Sequence, residues 1–376
     1  MATPSLLIIP DRYKAAKLYS QIPESGAGDF TVTRGTTATR VNASGLIESV
    51  ASGVPRIDYT GGGCGSLLVE PAATNLALYS EDFTQAVWAK TVSASVSGNT
   101  TVSPDGTTTA DTFTAGANGS QVQQVFVGVS GTTYNVSFYI KRRTGSGVVN
   151  IRAVENVNTP ITITNNWTRV SLSATATSTS IRVGLTLATS GDAVDIWGAQ
   201  LETGSVATSY IPTVATTQTR NADVISLSSV SGLIGQTEGT LYAEVDVSKL
   251  LGTVVRGMLT ISNNTTANRI QIGFTGASAN TIRVIYSGAS TLNYNFAITT
   301  TGIYKIAFAY SASSTAFYVN GSLVSALGGN SFSASVGNVY LGSVFDGTSA
   351  LNDRISAAAI YTSRLSNSEL AQLTTL

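Results

Sequence analysis

Hydrophobic and polar positions alternate along short stretches throughout this chain. The clearest run is 134–140, where Tyr134, Val136, Phe138 and Ile140 share one phase and Asn135, Ser137 and Tyr139 the other. A period of two is that of a half-buried β-strand. Comparable runs at 122–129, 148–154, 167–172 and 181–187 are separated by Gly- and Ser-rich turns, with no alternation of strand and helix. Residues 76–212 are therefore expected to fold as an antiparallel β-sandwich or jelly roll. The runs 241–247, 258–261, 269–274, 281–286, 304–310, 316–319 and 339–341 repeat the logic and predict a second sandwich over 213–376. Asn320-Gly321 between two apolar runs predicts a type I′ hairpin. Ser366 with Glu369 three residues on is a capping box for one short terminal helix.

Between these regions lies 194–213. Val194 and Ile196 fall on one face and Asp195 and Trp197 on the other. Gly198 and Gly204 then interrupt the pattern, and Ile211-Pro212 anchors a turn. This predicts a closing strand that breaks at Gly198, followed by a short ordered linker in which Val206, Tyr210 and Ile211 are buried. The opening section, 1–75, has no periodic pattern long enough to build a core. Tyr13 to Tyr19 predicts one or two helical turns, followed by extended pieces turning at Gly26, Gly35, Gly45 and Gly53. An ordered terminus without its own core is tied down by something else. We expect 1–75 to be an extended N-terminal arm for attachment to a neighbour; the alternative is packing against the chain's own second sandwich.

Composition narrows the possibilities. A chain of 376 residues is long enough for two or three domains. Charged residues are only 11%, against about 25% in typical soluble domains, and so uncharged a surface is prone to association. Self-association is therefore expected. Lys+Arg and Asp+Glu balance at 21 each, without the basic excess that nucleic acid requires. The single Cys64 rules out an internal disulfide, and its Gly-rich surroundings mark a turn. Leu6 to Ile9 is stopped by Pro10, which argues against a signal peptide. No stretch approaches the roughly 18 apolar residues of a membrane span.

Several segments carry resemblances. Phe317 to Gly321, Val339 to Gly342, Ile360-Tyr361, Arg364 to Ser366 and Glu369-Leu370 resemble, in order and spacing, the C-terminal half of a concanavalin A-like, laminin-G-type lectin sandwich. Tyr134 to Lys141, Trp167 to Val170 and Asp195 to Glu202 resemble carbohydrate-binding-module jelly rolls. Residues 34–59 and 70–88 resemble bacteriophage virion proteins of the tail-fibre or structural class. Together they imply an all-β chain of two antiparallel β-sandwich domains (jelly-roll and concanavalin A-like) behind the N-terminal arm. The implied boundaries are 1–75, 76–212 and 213–376. The implied function is that of a virion structural protein of tail fibre, spike or tip type. It would contact other virion proteins through the N-terminal region, form a trimer if it is a fibre, and adhere to host-surface glycans. A head or neck decoration protein is the alternative, and a polysaccharide-degrading enzyme the second.

Candidate chemistry is sparse. With no histidine, Ser-His-Asp and Cys-His nucleophiles and nearly all zinc sites are excluded. Glu244 and Asp246 share one strand face at a spacing compatible with an inverting glycosidase, but solvated strand residues show the same pattern far more often. The adjacent Glu81-Asp82 would point to opposite sides. No catalytic residue and no cofactor is therefore expected. Asp192, Asp195 and Asp346 are the candidate ligands if a structural calcium ion is held; otherwise they are ordinary turn residues. Tyr139 and Trp197 are the candidate carbohydrate-stacking aromatics, while Trp88 and Trp167 read as core.

Overall fold

The computed structural model describes residues 2–155 and 157–376. They form an all-β protein in two compact units. The first comprises Met1–Gly45, Val50–Ala72 and Asn221–Leu376; the second comprises Leu46–Ser49 and Ala73–Arg220.

The first unit packs an 8-stranded antiparallel sheet against a 9-stranded one. Strands Gly239–Val247, Gly302–Tyr310 and Asp353–Tyr361 lie at the centre of the former. Strands Arg256–Ser262, Arg269–Phe274 and Thr281–Ser287 are consecutive neighbours in the latter. Their inward phases, among them Leu241, Val245, Ile270, Ile272, Val284, Ile306 and Phe308, form one buried cluster. The alternation read from the sequence thus marks the core face. Asn320 and Gly321 have φ of +48° and +80°, as a type I′ turn requires. The helix Asn367–Thr374 carries the expected capping box on Ser366 and Glu369. Its Leu370 packs on Tyr242, Ala307, Ala309, Ala316, Tyr318 and Ala359, so it covers the outer face of the 8-stranded sheet.

The opening section is not a free-standing arm. Leu6–Ile8 and Ser66–Val69 pair with Asp353–Tyr361, and Phe30–Thr33 pairs with Val224–Leu227. Residues 13–19 form a hairpin of the two strands Tyr13–Lys14 and Lys17–Leu18, turning at Ala16 (φ +63°), instead of the expected helical turns. These strands are two to four residues long, too short for a period to show, although Leu6, Leu18, Phe30 and Leu67 on them are part of the buried core.

A buried ionic network holds this arrangement. Arg34 donates to Asp223 at 2.9 Å and to the carbonyl of Ala51 at 2.7 Å; Arg56 donates to Glu70 at 2.8 Å and also pairs with Asp223. The backbone N–H of Glu70 donates to Asp223 at 3.0 Å. All four side chains are essentially inaccessible. Burial works against the Arg56 charge, but Asp223 and Glu70 outweigh it and raise its pKa.

Asp353 makes the stability of this unit depend on pH. Burial pushes its carboxyl up from 3.8 to about 6, opposed by hydrogen bonds from the backbone N–H of Ser248. A folded-state pKa above the unfolded value gives stability that is complete below the unfolded pKa and lost as pH rises through the folded one. Between about pH 4 and pH 7 the loss from this group is on the order of 3 kcal/mol. Asp353→Asn should therefore gain melting temperature relative to the parent as pH rises from 4 to 7. Parallel pH curves in calorimetry would refute this assignment.

The second unit is a sandwich of two 5-stranded antiparallel sheets. One is ordered Ala89–Thr91, Ser120–Val127, Ser180–Leu187, Val149–Ala153, Val157–Ile161; the other Ala94–Thr101, Ala110–Ala115, Ala193–Thr203, Thr133–Thr144, Thr168–Thr175. Trp88, Phe83 and Phe138 meet in its core, with ring centroids 4.7 to 6.2 Å apart. Trp88 is core, as expected; Trp167 is only half-buried.

Candidate functional site

Tyr139, Trp197 and Asp195 lie on the outer face of the sheet containing Thr133–Thr144 and Ala193–Thr203, and Asp192 just precedes the second of these strands. Tyr139 is directly opposite Trp197, and Lys141 opposite Asp195. The strand does not break at Gly198: it continues to Thr203 through a bulge. Gly198 has φ +63°, and a Cβ there would stand 3.0 Å from the Tyr139 ring, so glycine is required both for the bulge and for the close approach.

Beyond the bulge the chain folds back over this face. Glu202 accepts from the Thr208 N–H at 3.0 Å, Gln200 accepts from the Ile211 N–H at 2.7 Å, and Asn75 donates to the Ile211 carbonyl at 2.8 Å. Arg169 donates to the Thr208 carbonyl at 2.6 Å, and the Tyr210 hydroxyl donates to Glu81 at 2.9 Å. Burial pushes the Glu81 carboxyl up, against the hydrogen bond from Tyr210. Tyr210 lies on Trp197 with centroids 4.6 Å apart, and Tyr139 meets Trp197 edge-on at 5.6 Å.

Trp197 is consequently 1% exposed. This corrects its assignment as a stacking surface: the ring is already covered by residues of the same chain. Tyr139 stays half-buried, with the Arg169 guanidinium 5.3 Å from its ring centroid.

The aspartates are likewise committed to other partners. Asp192 pairs with Arg142 at 3.1 Å and accepts from the Gly147 N–H at 2.8 Å; Asp195 pairs with Arg143 at 3.0 Å and accepts from Thr112 at 2.8 Å. Asp346 is exposed in the first unit, where it accepts from the N–H and hydroxyl of Thr348 as a local turn. The candidate ligands are thus not brought together. Among the described residues no group of three or more His, Cys, Asp or Glu is placed to hold a metal ion. No helix among them is long and apolar enough to cross a membrane.

An open polar face exists in the first unit, on the outer side of the 9-stranded sheet. Cross-strand register places Tyr340, Thr260, Gln271, Ile285 and Asn293 in one row. Arg269, opposite Ser287, lies on one side of it; Arg283, between Gly273 and Asn295, lies on the other. Thr260, Gln271 and Tyr340 are 0%, 3% and 9% exposed, whereas Asn293 and Asn295 are exposed. The loop 342–350 closes one side: the Ser343 carbonyl accepts from Thr260 at 3.0 Å, and the Phe345 ring lies 4.8 Å from the Arg269 guanidinium. The Tyr340 hydroxyl donates to Asn264 at 2.8 Å.

The two arginines carry the charge of this face. Burial lowers the pKa of both, and Arg269 is lowered further by Arg283, with Asp346 a partial counterweight. Among the described residues neither forms an ion pair. Guanidinium groups, amides and a phenol beside an aromatic ring can bind hydroxyl and carboxylate groups while an apolar ring face rests on Phe345. Sequence reasoning did not select Arg269 or Arg283. A signal existed, since both occupy the polar phase of adjacent alternating strands in a chain poor in charge.

A second concavity in this unit, of about 810 Å³, is lined by Tyr13, Tyr19, Asp11, Glu24 and Asp29 among others. Two of its carboxylates are engaged, Asp11 by Gln21 at 2.6 Å and Asp29 by the Ser20 N–H at 3.1 Å.

Residues 219–371 match the family model described as the Concanavalin A-like lectin/glucanases superfamily. That stretch supplies most of the open face and both arginines. No curated protein matches the chain. Similar solved structures include the CBM40 module of a Ruminococcus gnavus IT-sialidase bound to α2,3-sialyllactose, at 21% identity and TM-score 0.32, covering 38% of this chain and 84% of that one. Domain 4 of a GH43 extracellular arabinanase from Geobacillus stearothermophilus, in complex with arabinotriose, is 16% identical with TM-score 0.34, covering 46% and 82%. Likenesses at this level assign neither a ligand nor a site.

Proposed function

We propose that the chain is a non-enzymatic virion structural protein of tail fibre, spike or tip type that adheres to host-surface glycans through the outer face of the 9-stranded sheet. The observation that carries the adhesion reading is a largely polar sheet face flanked by Arg269 and Arg283, on which Asn293 and Asn295 are exposed, in a segment matching a lectin superfamily. The non-enzymatic reading is supported by the state of the carboxylates. Asp246 pairs with Arg354 at 2.6 Å, and Glu244 accepts from the Tyr242 hydroxyl at 3.0 Å and faces Lys305 at 3.9 Å. Both thus have the partners of ordinary strand residues. The virion reading rests on the resemblance of 34–59 and 70–88, and self-association belongs with it.

The test of adhesion is binding of the full chain to arrayed glycans. Arg283→Ala and Asn295→Ala should each weaken the strongest interaction at least about tenfold, or about 1.4 kcal/mol. As partly exposed sites they should leave stability within about 0.5 kcal/mol of the parent. Glycan binding untouched by both substitutions would remove this face as the site. Location distinguishes tail adhesion from the alternative of head or neck decoration. Immunogold labelling of particles should mark the tail end; labelling spread over the head would favour decoration.

A further inference from the structure

The second unit carries a polar notch on the outer face of its other sheet, the one containing Ser120–Val127, Ser180–Leu187 and Val149–Ala153. Gly184 lies between Gln123 on one neighbouring strand and Arg152 on the other. Two residues along, Thr186 lies between Gln121 and Asn150. Gly184 packs directly on its neighbour, since a Cβ there would stand 2.2 Å from the Val122 carbonyl and 2.8 Å from Gln123 Cβ; Gln123 and Arg152 lie on either side of it, two inter-strand spacings or roughly 10 Å apart. Gln123, Arg152 and Thr186 are 7%, 7% and 6% exposed. Each has a buried polar atom without a hydrogen-bond partner: Gln123 Oε1, Arg152 Nε and Thr186 Oγ1. Buried polar atoms in native proteins are nearly always satisfied by protein, water or ligand, so three such atoms around one glycine call for a common partner.

Charge narrows the chemistry of that partner. Burial lowers the pKa of Arg152, and the like charge of Arg182, on the same face, lowers it further. Arg152 donates to Gln121, and among the described residues neither arginine forms an ion pair. The notch therefore offers guanidinium donors in need of an anion, an amide oxygen in need of a donor, and a hydroxyl able to do either. A simple oxyanion answers the first need but not the second. The geometry points to a binding site for an acidic saccharide, its carboxylate against Arg152 and Arg182 and its hydroxyls against Gln123 and Thr186. The site lies in the second unit and is independent of the adhesive face on the first.

Calorimetric titration of the full chain carrying Arg283→Ala, which silences the first unit's face, tests this directly. The probes are trigalacturonate, neutral galactotriose and inorganic phosphate. Trigalacturonate should bind at least tenfold more tightly than either of the others. Arg152→Gln and Arg182→Gln should each weaken it tenfold or more. Because Arg182 is half-exposed, Arg182→Gln should also keep the parent's thermal transition, so that lost binding is not lost folding. Absence of trigalacturonate binding, equal affinity for galactotriose or phosphate, or an unaffected Arg182→Gln variant would each overturn the assignment.

Discussion

Replacing Asp223 by alanine is expected to lower the stability of the first unit by roughly 3–5 kcal/mol, the range for removing one partner from a buried ion pair. Asp223 holds Arg34 at 2.9 Å, pairs with Arg56 and receives the Glu70 N–H at 3.0 Å. Its removal takes a carboxylate away from two inaccessible guanidinium groups, while Arg56 keeps Glu70. The unit that suffers can be identified, because Trp88, Trp167 and Trp197 account for all 3 tryptophans and all lie in the second unit. Tryptophan fluorescence therefore follows that unit alone, while calorimetry records both. The calorimetric transition of the first unit should move and the fluorescence transition should not. A loss below about 1 kcal/mol, typical of exposed ion pairs, would contradict the burial of this network.

Trp197→Ala is expected to cost the second unit about 3–5 kcal/mol, as large aromatic truncations in a core do. The ring packs on Tyr210 and Tyr139, and its N–H donates to Thr109 at 3.1 Å. The remaining tryptophans report the shift in fluorescence. Glycan binding at the face proposed on the first unit should persist at temperatures where the variant stays folded. Selective loss of binding with unchanged stability would restore Trp197 as a contact residue.

Trp197 also shows where the sequence stopped being legible. Alternation placed it on the face of its strand away from Ile196, and the register sets it opposite Tyr139. That residues 204–213 return to cover it depends on Glu202, Gln200, Asn75 and Arg169, which are scattered along the chain and meet only through register. The pairing of Asp192 and Asp195 with Arg142 and Arg143, which reach them from another strand, was illegible for the same reason. Strands with a full apolar phase, such as Thr133–Thr144 and Arg269–Phe274, were readable because one face is core. The strand Ala94–Thr101 was not, being mostly Ser, Thr, Gly and Asn. Nor was Val157–Ile161, an edge strand containing Pro160, which is where proline is tolerated in a sheet. The opening section escaped because its core residues, among them Leu18, Phe30 and Leu67, sit on strands too short for a period to show.

The central claim is that glycans meet this chain on the outer face of the 9-stranded sheet of the first unit. Amide chemical-shift mapping of the full chain, titrated with the glycan that binds most strongly on the array, locates the contact directly. The account predicts saturable shifts concentrated on Arg269–Phe274, Thr281–Ser287 and Thr291–Ala297, abolished by Arg283→Ala. Saturable shifts confined instead to Tyr139, Trp197 and Tyr210, or no saturable shift in the first unit, would contradict it.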